Sequence, residues 1–322
     1  MSQVQQLPRT RIITVSNATV VLNVGLIAAG AAVALSLLTR TTAASTSIGP
    51  VPIAVALIAL MIGIPHGAVD NLTLQRSLTR SQKLAGAAAY VGIAALAAAA
   101  IITWPGIAFV LVIAMTVWHF GSGDVEAWAT LTGDPVQPRG WRKALLAIAA
   151  GGAPVVLPLT SPAALTTLAA LNPSLGDWWS SPATTYVRVV VLAAVVVSAV
   201  MLLHSGRPMA AVHLAILAAL GIFAAPLLAF AVYFGAWHAL RHTARLAEHR
   251  DGVVTWAGIG RVTLLGTPAL IATVVIVAIA LALTGSVSAL APGLWVGLAV
   301  VWGLTVPHMS LVEAFDRRTT RG

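Results

Sequence analysis

Residues 189–242 read VVVLAAVVVSAVMLLHSGRPMAAVHLAILAALGIFAAPLLAFAVYFGAWHALRH and carry most of three successive apolar runs, 184–204, 209–223 and 226–243. A helix that crosses a bilayer needs about 20 apolar residues, within a range of roughly 17–25. Ala224-Ala225-Pro226 breaks the second run from the third, since a proline opens a new helix more readily than it continues an old one. Working outward, the same pattern recurs at 17–38, 51–74, 84–104, 106–122, 142–160, 263–284 and 293–315, with Trp104-Pro105-Gly106 as another break. The weakest runs are the short 209–223 and 142–160, which Pro154 and Pro158 interrupt. The chain therefore reads as all-α: a polytopic transmembrane bundle of about ten helices, or eight if an adjacent pair drops out. It forms a single integral membrane domain over 1–322.

Composition agrees. The chain has 322 residues, 59% hydrophobic and 8% charged, where soluble domains carry about 25% charged residues. The net charge of +9 is not a nucleic-acid signal, because the basic residues sit in short clusters between apolar runs. With ten spans and the N-terminus inside, sixteen of the 18 Lys and Arg fall in inside segments; only Arg40 and Arg188 fall outside. That bias places both termini in the cytoplasm and the protein, multi-pass, in a cell membrane. The first run is longer than a signal-peptide core of roughly 7–15 residues, so it reads as a true span. The connection 161–183, with Trp178-Trp179 and almost no charge, is expected at the membrane interface. Cysteine is absent, which excludes disulfides, thiolate metal sites and thiol nucleophiles.

Four histidine signatures stand near one end of four returning helices: Pro65-His66-Gly67-Ala68-Val69-Asp70, Trp118-His119-Phe120-Gly121, Trp237-His238-Ala239-Leu240-Arg241-His242 and Pro307-His308-Met309. At 1.5 Å per residue their histidines lie about 18–23 Å into a hydrocarbon core about 30 Å thick. Ionisable groups at membrane depth are costly and usually functional. Five imidazoles at one depth, His66, His119, His238, His242 and His308, point to a metal site, since imidazole suits iron, zinc and copper. His238 and His242 are spaced i, i+4 and share a helix face. Asp70 has that spacing from His66 and is expected to support a ligating ring, or else to pair with Arg76. Asp124 and Glu313, five residues after His119 and His308, match one face less well. A histidine site with open positions suits Fe(II) and dioxygen better than closed structural zinc. Trp118, Phe120, Phe230, Tyr233, Phe234 and Trp237 would line a greasy pocket reached from the lipid. His204 and His213 read as structural and His249 as solvated.

These motifs, together with Tyr233-Phe234 and Thr305-Val306, resemble in order the Brp/Blh family of bacterial and archaeal β-carotene 15,15′-dioxygenases, over about 50–315. The resemblance implies central cleavage of β-carotene by iron and dioxygen to two retinals. It implies His66, His119, His238 and His242 as iron ligands and His308 as a further family histidine. Trp118 and Ala239 depart from the expected pattern, which bears on substrate more than on metal. Partners are then a carotenoid, dioxygen and the lipid bilayer. The rival readings are a haem-binding electron carrier with two axial histidines and a proton-coupled transporter using the same Asp and His residues. A membrane di-iron desaturase would need more clustered histidine pairs than His238–His242.

Overall fold

The computed structural model describes residues 16–40, 50–74, 79–134, 138–178, 181–286 and 290–319. All ten apolar runs are helical. They form α1 (Asn17–Arg40), α2 (Pro50–Leu74), α3 (Arg80–Thr103), α4 (Pro105–Thr132) and α5 (Trp141–Leu159). After two short helices, α6 (Pro162–Leu171) and α7 (Pro173–Trp178), come α8 (Ser181–His204) and α9 (Pro208–Phe223). The eighth run is one continuous rod of α10 (Pro226–Ala231), a π-helical segment (Val232–Ala239) and α11 (Leu240–Asp251); α12 (Trp256–Leu283) and α13 (Leu290–Thr319) follow.

Local chemistry sets the boundaries. Proline opens α4, α6, α9 and α10, where its missing N–H costs nothing and its φ is already helical. Thr79 and Gln82 form a reciprocal capping box at the start of α3. Gly133 and Gly252 end α4 and α11 at φ 64° and 73°, a left-handed region that glycine enters without a Cβ penalty.

Seven of the helices are long and apolar enough to cross a membrane, and among the described residues there is no strand. The chain is a helical, multi-pass membrane bundle. Lipid is the solvent for α3 and α12, whose Leu96 and Leu264 are 73% and 71% exposed. The interior lies among α4, α5, α8 and α9, with Phe109, Leu157 and Leu220 fully buried. There α4 and α5 touch backbone to backbone: a Cβ on Gly121 would stand 1.8 Å from the Ala147 carbonyl oxygen, and one on Gly151 2.0 Å from that of Val117. Small residues let membrane helices approach this closely.

The connection 161–183 is folded into α6 and α7, which tuck Leu168 and Leu175 against the core; Trp179 and the Trp178 side chain lie outside the described residues. One expectation changes. Arg241 and Arg245, counted from sequence among the inside charges, are 2% and 6% exposed within α11. Arg241 falls within the run expected to end at 243, and the helix runs on past that end and carries Arg245 into the bundle as well.

Candidate metal centre

The histidines come from four separate rods. Pro65 and Pro307 interrupt α2 and α13 just before His66 and His308, removing a helix N–H at each point. On α2, His66 Nδ1 hydrogen-bonds the Gly63 carbonyl, three residues back. His119 stands in the regular part of α4. His238 lies in the π-helical segment and His242 one turn on in α11.

All five rings are buried and meet in one cluster. Ring centroids are 5.0 Å apart for His119–His308, 5.1 Å for His66–His242 and 5.5 Å for both His66–His238 and His119–His238. His66 and His308 are 5.7 Å apart, and His238 and His242 6.1 Å. Two glycines make the room. A Cβ on Gly67 would meet the His308 ring at 3.2 Å, and one on Gly123 would meet His238 Cε1 at 3.2 Å.

Asp124 joins this cluster from α4, though not through the histidine expected. Its Oδ1 is 3.2 Å from His238 Nδ1 and its Oδ2 accepts from the Tyr233 hydroxyl at 3.0 Å. Residues five apart diverge by about 140° on an α-helix, so Asp124 turns away from His119 within α4 and faces the eighth rod. The wider turn of the π segment, a local form frequent at functional sites, brings Tyr233 and His238, themselves five apart, onto one carboxylate.

The other expected residues divide. Phe120 lies 4.4 Å from the His238 ring, Phe234 lies 5.9 Å from His66, and Phe230 stacks on Phe234 at 5.4 Å. Trp118 is 41% exposed on the outside of α4 and donates to Glu313 Oε2 at 3.2 Å. Trp237 is buried under the Arg241 guanidinium, 3.7 Å from its ring, and beside His213. The Asp70 side chain lies outside the described residues. His213 is buried between Trp128 and Trp237 and accepts from Arg241 Nη2 at 2.8 Å; His204 and His249 are exposed.

Sequence reasoning missed the two buried arginines. Arg245 Nη2 approaches His242 Nδ1 at 3.3 Å, and Arg241 also donates to the Leu22 carbonyl at 3.1 Å. The i, i+3 spacing of His242 and Arg245 was the available signal.

The donor set fits a divalent ion that prefers imidazole. His238 gives its Nδ1 proton to Asp124, which leaves the lone pair on Nε2, the tautomer a carboxylate partner fixes in metal-binding histidines. The Nε2 atoms of His238 and His119 are buried and have no hydrogen-bond partner, which is costly for a polar atom unless something binds there. Two features run the other way. Among the described residues no group of three His, Asp or Glu side chains stands in a metal-holding arrangement. The Arg245 contact also places the His242 proton on Nε2, so that ring must exchange its tautomer before it can bind through Nε2.

No curated protein and no solved structure matches the chain. A family model described as beta-carotene 15,15′-dioxygenase matches residues 57–316, a span that contains all five clustered histidines. The chain belongs to the beta-carotene 15,15′-dioxygenase family.

Proposed function

We propose that this protein is a non-haem iron dioxygenase of the plasma membrane that cleaves β-carotene at its central 15,15′ double bond to give two molecules of retinal. The observation that carries the reading is the convergence of five buried histidines, two with unpartnered Nε2 atoms, inside the family match. His66, His119 and His238 would hold the ion, with His242 and His308 beside them. Bound iron would supply the activation of dioxygen for attack on the double bond. One dioxygen and one double bond give two aldehydes, so no further reductant is needed.

The chain's own residues do the rest. Asp124 orients His238 and offsets positive charge in a low-dielectric setting; Tyr233 holds Asp124. Phe120, Phe230 and Phe234 offer an apolar wall for a polyene arriving from lipid, and the surrounding helices exclude bulk water, so positioning is the protein's main contribution.

Expression in β-carotene-producing bacteria tests the activity. Bleaching with retinal as the product supports it; intact pigment with well-expressed protein removes it. Elemental analysis of the purified protein tests the ion. Near-stoichiometric iron is expected, falling to background in His238→Ala and His119→Ala, and full retention in both variants would refute the assignment.

A further inference from the structure

Beside Asp124 and Trp237 lies a cavity of about 70 Å³, between α4, α5 and α9. Its wall is almost entirely apolar: Val125 and Ala129 from α4, Leu146 and Ala150 from α5, Leu214 and Leu217 from α9. The polar side chains around it are engaged with other partners. Arg207 Nε is 2.9 Å from Asp134 Oδ2. His213 Nδ1 accepts from Arg241 Nη2 at 2.8 Å, and the Arg241 guanidinium lies over the Trp237 ring at 3.7 Å. The Asp124 oxygens face His238 and Tyr233. A buried water needs two to four polar partners, and apolar cavities stay dry and take apolar molecules such as xenon. Size narrows the occupant further. Pockets for drug-sized ligands run to roughly 300–1,000 Å³, so this one excludes a carotenoid or a lipid tail. One water takes up roughly 30 Å³ of liquid, so a diatomic molecule fits.

We propose that this cavity is a dry holding site for dioxygen, one side-chain layer from the histidine cluster. The proposal rests on the dioxygenase reading, which makes dioxygen a substrate, and adds the place where the gas is held. Asp124 and Trp237 form the intervening layer. Both border the cavity; Asp124 Oδ1 is 3.2 Å from His238 Nδ1, and Trp237 is the residue before His238. Dioxygen is apolar and enters hydrocarbon in preference to water. A bilayer therefore concentrates it, and a dry apolar space retains it without having to shed water first. Phe120, Phe230 and Phe234 take no part in this wall, so the polyene and the gas occupy separate places and do not compete for one. Ala150, 7% exposed, keeps the space open, because a larger side chain there would fill it.

Xenon probes the cavity independently of any metal. Crystals of the full-length protein held under xenon should show a xenon atom bounded by Ala150, Leu214 and Trp237. Ala150→Leu, which fills the space, should abolish that peak. Leu214→Ala, which enlarges it, should raise the occupancy, so the result does not hang on one variant's folding. In carotenoid cleavage by the iron-loaded protein, Ala150→Leu should raise KM for dioxygen several-fold, while KM for carotenoid and iron content stay at their wild-type values. The proposal is overturned if the wild-type protein shows no xenon at this place, or if Ala150→Leu loses the xenon and keeps the wild-type KM for dioxygen. Wild-type protein that takes up xenon here yet leaves carotenoid intact at every oxygen pressure counts against the dioxygenase reading, while the xenon still supports a dry, gas-sized cavity. The two failures are thus distinguishable.

Discussion

Asp124 is the side chain that joins the histidine cluster from a crossing helix. It is a carboxylate buried among apolar helices with two fixed donors, His238 Nδ1 and the Tyr233 hydroxyl. A charged acceptor with defined donors is worth more than a neutral one, and leaving it unpaired costs more. Asp124→Asn keeps the shape and removes the charge. It should insert normally yet lower iron affinity and carotenoid turnover by about 10–100-fold, the usual scale for a group that orients a metal-binding histidine. Tyr233→Phe removes one donor and leaves the charge. It should lower thermal stability by about 1–3 kcal/mol and change metal content little. Equal metal loss in both variants would mean that Asp124 acts on His238 through packing alone. The sequence placed Asp124 near a histidine but assigned it to its own helix, because spacing along one helix says nothing about the rod that crosses it. The five histidines were legible for the opposite reason: depth along a membrane helix follows from counting residues.

At the scale of the element, the ten apolar runs were legible because an uninterrupted apolar helix in lipid needs little else to specify it. The π segment was not. A single widened turn leaves no periodicity in Val232–Ala239, and its consequence, Tyr233 and His238 on one carboxylate, appears only across helices. Close crossings are likewise hidden, since glycine looks alike at a contact and on an open face. The structure separates them. Gly121 sits against the Ala147 backbone, while Gly92 has no neighbour within 4 Å of its missing Cβ. Gly121→Val should force α4 from α5, cost at least the roughly 1–3 kcal/mol of an overpacked core, and lower the yield of monodisperse protein. Gly92→Ala, by relieving glycine's entropy cost in a helix, should be neutral or stabilising by up to about 1 kcal/mol. Similar melting temperatures for the two variants would remove the Gly121–Gly151 crossing as a determinant of the fold.

For the whole molecule, charge argues for one orientation in the membrane. Orientation follows the Lys and Arg of short loops near span ends. Burial withdraws Arg241 and Arg245 from that count, because a guanidinium held inside α11 is not a loop charge during insertion. The remaining inside set still includes Arg80, Lys83, Arg139, Arg142, Lys143, Arg207, Arg250 and Arg261, against Arg40 and Arg188 on the other side. The burial of Arg241 and Arg245 therefore weakens the bias without reversing it. The helix pattern supplies an independent constraint. The second, fourth, eighth and tenth runs must all run in the same direction for their histidines to share a depth, and the shared cluster of His66, His119, His238 and His308 is what that direction produces. An even number of crossings between any two of these runs would reverse one of them and place its histidine at the opposite depth. Reporter fusions after Arg40 and after Arg321 should consequently score on opposite sides, with the Arg321 fusion cytoplasmic. The same side for both would sink the ten-span topology, and an Arg321 fusion on the outer side would invert it, moving Arg207 and Asp134 to the other face of the membrane.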